Sequence, residues 1–290
     1  MHIIIVRNNF NADAVDASIT IASYLSAQNI SYEILDVSDL PHGAIEKGAL
    51  DGGCACDMAI SLGGDGTLLS AASLIAYSGV SILGINYGNL GYLTNDSKNG
   101  LINLVCMALS GETTCEKRTN LEVEIVLEGD DIDKTPFMDE HSKTNFALNE
   151  LALSRGESGS ILNFELSISG NKITNMRGDG LIIASATGST AYALSAGGPL
   201  VSPDYSGLLV VPLALHSLIS RSILCSPSDI IEILVPEKQI AKPSISLDGK
   251  MLAFDRDIKK VFVKKGSSET SLLKAGGEDF YAQLARVFYK

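Results

Sequence analysis

Basic residues are scarce in this 290-residue chain. Twenty-two lysines and arginines stand against 34 aspartates and glutamates, a formal net charge of −12. No basic stripe offsets phosphate repulsion, so nucleic acid is not an expected partner. Small anionic ligands are another matter, because they respond to local groups and not to the total. Long apolar runs are missing too. The richest, Leu208 to Ile219, is broken by Pro212 and His216 and is too short to span a bilayer. The opening Met1-His2-Ile3-Ile4-Ile5-Val6-Arg7 lacks a basic leader region and reads as a first strand. Neither a membrane partner nor a secretory segment is expected. The five cysteines (Cys54, Cys56, Cys106, Cys115, Cys225) are odd in number and irregularly spaced, and the four histidines are scattered. That pattern makes no metal cage, and reduced thiols point to the cytoplasm.

What is present describes a compact globular protein: 46% hydrophobic and 19% charged residues, in a chain long enough for one large domain or two ordinary ones. Through about residue 118, strand-like and helical segments alternate. Ile3 to Val6, Tyr32 to Val37, Met58 to Leu62 and Ser81 to Asn86 read as strands. Val15, Ile19, Ala22 and Leu25 recur at helical spacing, and Leu101 to Leu109 reads as another helix. This order implies a doubly wound parallel sheet over residues 1–118. From 119 to 275 the period falls to two. Leu121, Val123, Ile125 and Leu127 alternate with Glu122, Glu124 and Glu128, the pattern of a half-exposed strand. Further strands are expected at Phe164 to Ile168, Leu181 to Ala184, Leu208 to Val211, Ile230 to Val235, Ile245 to Leu247 and Val261 to Val263. The fold class is therefore α/β followed by mainly β. The polar, acidic stretch from 128 to 143 is expected to be a long hairpin loop. A last helix over 276–290, with Phe280, Leu284, Val287 and Phe288 on one face, is expected to pack back on the N-terminal domain.

Three clusters could carry chemistry. The first is Gly63-Gly64-Asp65-Gly66-Thr67, between a strand and a helix. Glycines let backbone N–H groups approach an anion, and the helix start favours a phosphate. The dinucleotide fingerprint fails, since Leu69 stands where its third glycine belongs, and no Walker lysine follows. Asp65 either caps the helix or orients a hydroxyl beside a held phosphate. The second cluster is Asn149-Glu150, a polar pair inside an apolar strand. Neighbouring side chains point to opposite faces, so at least one polar group is expected to be buried. It then either pairs internally or meets a ligand. The third runs from Arg177 to Pro199. Thr187, Ser189 and Thr190 offer hydroxyls with Gly188 at a helix start near Ala191. Ahead of them Arg177 could contact phosphate and Asp179 ribose hydroxyls, or the two could pair with each other.

Together these clusters resemble the NAD kinase family. The likeness rests on Gly63-Gly64-Asp65-Gly66-Thr67, on Gly84-Ile85-Asn86-Tyr87-Gly88-Asn89-Leu90-Gly91-Tyr92-Leu93, on Asn149-Glu150, on Asp179-Gly180 and above all on Thr187-Gly188-Ser189-Thr190-Ala191-Tyr192. It implies transfer of phosphate from ATP or polyphosphate to the 2′-hydroxyl of the adenosine ribose of NAD. It also implies a divalent cation such as Mg²⁺ held mainly by phosphates, no dedicated protein metal site, and a homodimer or homotetramer with NAD between the domains. By the same resemblance Asp65 is the general base, and Gly63, Gly64 and Gly66 cradle phosphates. Asn149 and Glu150 hold the adenine and ribose side, and Arg177 and Asp179 touch NAD across a subunit contact. Thr190, Ala191, Tyr192 and Ser195 line the adenosine pocket.

Some positions depart from the family pattern. Ala186 replaces a usual proline, Ser160 a usual basic or imidazole side chain, and Lys250 a common glutamine. Lys250 adds a cation that could suit phosphate or could face solvent. A lipid kinase would share the glycine–aspartate loop but would want a membrane-facing basic surface. A dinucleotide-binding regulator that has lost catalysis would not need both Asp65 and Glu150.

Overall fold

The computed structural model describes residues 1–40, 56–88, 91–97, 100–133, 135–138, 144–156, 159–216, 221–276 and 279–288, the last three of these without side chains. Asn89 and Leu90 of the family-like stretch, Cys54, and part of the expected 128–143 loop lie outside the described residues. The chain forms two compact units, one of residues 1–40, 56–118 and 269–288, the other of residues 119–268.

In the first unit the elements run β1 (His2–Arg7), α1 (Ala12–Ala27), β2 (Ser31–Asp36), β3 (Met58–Gly63), α2 (Asp65–Leu74), β4 (Ser81–Asn86), β5 (Asn95–Asp96) and α3 (Leu101–Ser110). The strands lie in the order β4-β3-β1-β2, all parallel, with β5 parallel to the end of β4. Their apolar runs are continuous because the sheet is covered on both faces. Every residue of β3 is buried. Ile3, Ile5, Ile60, Leu62, Leu83 and Ile85 pack against α1 and α3, while Leu68 of α2 presses on Gly84 from the other side. The inward face of α1 is Ala14, Ala17, Ser18, Ile21, Ala22 and Leu25; of the expected stripe Ala22 and Leu25 are buried, Val15 is partly buried and Ile19 is exposed. The connections diverge between β1 and β3, and ligands of parallel sheets bind at the carboxyl edge of such a switch point.

Strand β6 (Thr114–Leu127) carries the chain into the second unit. There follow β7 (Thr144–Ala147), β8 (Glu150–Ser154), β9 (Leu162–Ile168), β10 (Asn171–Gly178), β11 (Gly180–Ala184), α4 (Tyr192–Ser195), β12 (Leu208–Leu213), β13 (Ile223–Cys225), β14 (Ile230–Leu234), β15 (Ser244–Leu247) and β16 (Lys250–Met251). Strand β17 (Ile258–Lys274) returns to the first unit, where its end pairs in parallel with β4, and α5 (Phe280–Phe288) follows. One sheet of the second unit has the order β10-β9-β14-β17, with β6 on β17 and β7 on β6. The other has the order β13-β12-β11-β8-β15-β16. The core lies between them, where Leu151 and Leu153 of β8 meet Phe164, Leu166, Ile233 and Val261. The outer face of the second sheet is also covered, by Ala186, Ala193 and Val201. Strand β11 is thus buried throughout.

The expectation of a half-exposed β6 is corrected. Glu122 and Glu124 are 3% and 1% exposed. Each carboxylate finds partners that make burial tolerable. Glu122 accepts hydrogen bonds from Ser267 N (2.8 Å) and Ser267 Oγ (2.5 Å) and pairs with Lys264 Nζ at 3.2 Å. Glu124 accepts the Phe137 N–H at 2.6 Å, which holds that part of the chain against this strand. Burial works to raise the pKa of Glu122, but the Ser267 hydrogen bonds and the Lys264 cation outweigh it and hold the carboxyl below its usual range. Among the described residues no helix is long and apolar enough to cross a membrane.

Removing the cation leaves a buried charge with hydrogen bonds only. Lys264→Met is expected to lower stability in urea unfolding by about 1–3 kcal/mol, below the loss for a fully enclosed pair because Lys264 is partly exposed. Adding Glu122→Gln should recover part of that loss.

Candidate active site

In the first unit the site is built on the carboxyl end of β3. Gly63 packs so tightly on the following turn that an added Cβ would lie 2.3 Å from Thr67 Oγ1. Gly64 and Gly66, by contrast, have nothing within 4 Å of where a Cβ would be. Their surfaces are open, and α2 starts at Asp65 with no side chain capping it. The idea that Asp65 caps its own helix is therefore corrected. Its carboxylate reaches another loop: Oδ2 accepts the Tyr92 N–H at 2.8 Å and Oδ1 the Leu93 N–H at 3.2 Å. Gly91 lies so close that a Cβ would sit 2.0 Å from Asp65 Oδ1, a separation no side chain permits. Two long-range amides thus fix the orientation of one half-buried carboxylate.

In the second unit the site is built where β8, β11 and β15 end together. Glu150 pairs with Ala184, and the strand then turns through Thr187–Thr190 into α4. Asp248 and Gly249 form the tight turn between β15 and β16, both with positive φ (49° and 78°). The Asp248 carboxylate accepts three backbone N–H groups, from Leu148 (2.8 Å), Asn149 (2.7 Å) and Glu150 (3.2 Å). On the other side Ser185 N donates to Asn149 O at 2.9 Å, and Gly188 approaches so closely that a Cβ would lie 2.1 Å from that oxygen. The Asn149–Glu150 backbone is clamped from both flanks.

Its side chains are not satisfied in the same way. Asn149 is 9% and Glu150 6% exposed, yet Asn149 Oδ1 and Glu150 Oε2 have no hydrogen-bond partner among the described residues. Burial, then the nearby Asp248 carboxyl, raise the Glu150 pKa to about 7, with a hydrogen bond from the Tyr192 N–H opposing them. Burial likewise pushes Asp248 up to about 6 against its three amide bonds and the Lys250 cation. Lys250 is itself shifted down by burial and back up by Asp248. Two unpaired acceptors at one buried corner are what a ligand with donors would satisfy.

The other residues singled out in the sequence fall unevenly. Tyr192 brings its N–H to Glu150 while its ring is exposed, Ser195 is exposed, and Thr190 and Ala191 are partly buried. The hydroxyls expected to face a ligand are spent inside the turn. Ser189 Oγ donates to Ala186 O at 2.6 Å and Thr190 Oγ1 to Thr187 O at 3.1 Å. Ala186 has φ −57°, the value a proline would impose, so the substitution leaves the entry to the turn unchanged in shape. Arg177 and Asp179 precede the opposite end of β11, where Gly180 pairs with Ser154, and do not join the Asn149–Glu150 corner. They do not pair with each other either: Asp179 meets Arg155 at 3.3 Å. Sequence reading missed the anchoring role of Asp248, for which the Asp248-Gly249 turn signal was present, and the amides of Tyr92 and Leu93, for which no side-chain signal exists.

Comparison with known proteins finds matches in both units. The ATP-NAD kinase N-terminal domain matches residues 52–106, and the ATP-NAD kinase C-terminal domain matches residues 148–275. An NAD kinase of Teredinibacter turnerae is 38% identical over 227 residues, covering 78% of this chain and 74% of the relative. One from Methylibium petroleiphilum is 34% identical over 275 residues, covering 93% and 88%. The chain belongs to the NAD kinase family. It is an enzyme, a phosphotransferase with an alcohol group as acceptor. Two solved NAD kinase-family structures share its fold: yeast NADH kinase complexed with NADH (TM-score 0.81, 22% identity, 100% of this chain and 87% of that one) and an Archaeoglobus fulgidus NAD kinase in complex with ATP (0.70, 23%, 94% and 94%).

A carboxyl whose folded pKa is raised favours the folded state at low pH, and that contribution is lost as pH rises through about 7. Glu150→Gln removes it. The melting temperature of the ligand-free wild type, measured relative to that of Glu150→Gln, is therefore expected to fall between pH 5 and pH 8. A difference that stays flat or rises with pH contradicts the assignment.

Proposed function

We propose that this NAD kinase transfers the terminal phosphoryl group of ATP to the 2′-hydroxyl of the adenosine ribose of NAD, yielding NADP and ADP. The observation that carries the reading is the Asp65 carboxylate, fixed by two amides beside an open glycine turn. The new bond joins the 2′-oxygen to the γ-phosphorus as the bridging bond to the β-phosphate breaks. The hydroxyl proton passes to Asp65. In a loose phosphoryl-transfer transition state the alcohol is deprotonated late, so Asp65 acts chiefly by orienting it. Gly64 and Gly66 give the backbone room to receive phosphate, and Gly63 lets the turn close on Thr67 to present it. The ATP reading is supported by the family description and by the ATP in the archaeal relative, and polyphosphate is the alternative donor. The NAD reading is supported by relatives above 30% identity that are named NAD kinase.

Among the described residues no three acidic, histidine or cysteine side chains cluster as metal ligands. A divalent cation such as Mg²⁺, held mainly by the donor's phosphates, would neutralise their charge. Asn149 and Glu150 recognise the adenine and ribose side of NAD, whose donors complete their unpaired oxygens. Thr190, Ala191, Tyr192 and Ser195 border that nucleoside, and Lys250 adds a cation at its edge. Arg177 and Asp179, set at the other end of β11, serve the nucleotide of a neighbouring subunit in a homodimer or homotetramer. A cytoplasmic location accords with substrates of this kind.

The assay is direct: incubate enzyme with NAD, ATP and Mg²⁺ and read NADP with an NADP-specific dehydrogenase. Asp65→Asn should lower kcat by about 10²–10⁴-fold, the scale of a lost acid–base group, with KM for NAD within a few-fold. Turnover close to wild type would overturn the role of Asp65.

A further inference from the structure

Among the partly buried cations of the first unit that the chemistry above does not use, Lys274 lies nearest the acid through the backbone. Lys274, at the end of β17, donates from Nζ to the carbonyl of Leu93 at 2.8 Å. Leu93 is the residue whose N–H binds Asp65 Oδ1. The backbone of one residue, Leu93, therefore links the ammonium to the carboxylate it helps to place. The electrostatic surroundings agree. Burial depresses the Lys274 pKa, Glu116 opposes that shift, Arg118 adds to it, and Asp65 opposes it in turn, so the cation and the Asp65 carboxylate attract each other.

The loop from Gly91 to Asn95 is held by few other bonds from the same unit. Gln283 Nε2 of α5 donates to Gly91 O at 3.2 Å. Asn95 Nδ2 donates to Gly84 O and to Leu273 O, both at 2.9 Å, and Ala275 N donates to Asn95 Oδ1 at 3.0 Å. These bonds fix the two ends of the loop. Lys274 grips it at Leu93, one of the two residues whose amides touch the acid. A desolvated ammonium on a carbonyl makes a charge-assisted bond, stronger than the neutral ones at either end.

We propose that Lys274 is a positioning residue for phosphoryl transfer: through the Leu93 carbonyl it holds the 91–93 loop, and with it the Asp65 carboxylate, in the orientation that accepts the hydroxyl. The inference rests on the reading of Asp65 given above. Because Lys274 acts through the Leu93 carbonyl in this proposal, its loss should change kcat and leave binding nearly intact. An arginine keeps the charge and the donor and should recover most of the rate.

The test uses the full chain, with turnover expressed per folded molecule as judged by thermal melting. Lys274→Met is expected to lower kcat by about 10-fold or more, with KM for NAD and for ATP within about 3-fold, and Lys274→Arg to recover most of it. In an Asp65→Asn background, Lys274→Met should lower the residual kcat by no more than about 2-fold, because residues acting through one group are non-additive. A purely structural lysine would instead multiply the Asp65→Asn loss in full, or would change melting temperature without kcat. Either outcome overturns the proposal. Should Lys274→Met not fold, Lys274→Gln keeps a neutral donor at similar reach and is read in the same way. If Asp65→Asn retains wild-type turnover, the reading of Asp65 itself fails; if that variant is inactive while Lys274→Met and Lys274→Gln turn over normally, only the role of Lys274 fails.

Discussion

A carboxylate held by backbone amides from a distant loop is the constraint on which this enzyme's first unit depends. An aspartate on a glycine turn has freedom to point in several directions, and a reactive acid that wanders contributes little to rate. Here the amides of Tyr92 and Leu93 remove that freedom without supplying a competing charge. The arrangement explains why glycine occupies position 91, where a Cβ would collide with the carboxylate. It also explains why no lysine of the Walker kind is needed in the turn. In the proposed reaction the turn receives phosphate through open backbone, and the side chain is left to handle an alcohol.

The second unit repeats the principle with another aspartate. Asp248 takes three consecutive amides and so fixes the backbone of Asn149 and Glu150, leaving their side chains unpaired at a buried corner. The cost is electrostatic: two buried carboxyls near one another both titrate well above their ordinary range. Under the proposed function, a nucleoside offering hydroxyl and amino donors would relieve that cost on binding. In both units an aspartate bound to amides is central: in the first the amides orient Asp65 itself, and in the second Asp248 fixes the backbone that carries Asn149 and Glu150.

Much of the fold was legible because burial on two faces writes long apolar runs, and burial on one writes alternation. Met58–Gly63, Ser81–Asn86 and Gly180–Ala184 lie within a residue of their expected bounds. The reading failed where a polar residue is buried with partners that are remote in sequence. Glu122 looks solvent-facing until Ser267 and Lys264 are brought to it. The 17-residue β17 was read only as Val261 to Val263, since its lysines, serines and Glu269 obscure a strand that passes from one unit to the other. At the candidate site the side chains were legible and the backbone was not. Glu150 announces itself as a carboxylate in an apolar strand, whereas the amides that hold Asp65 leave no mark on residue identity. Conversely, Ser189 and Thr190 advertise donors that the turn consumes.

Hydrogen exchange at the loop that grips the acid tests this account most directly. In the ligand-free wild type the Tyr92 and Leu93 amides should exchange slowly for a surface-proximal loop, and Asp65→Ala should accelerate both by at least about 10-fold while the amides of β3 and β4 keep their protection. Equal, fast exchange of the two amides in wild type and variant would show that the carboxylate is not held there, and the proposed basis for its chemistry would be contradicted.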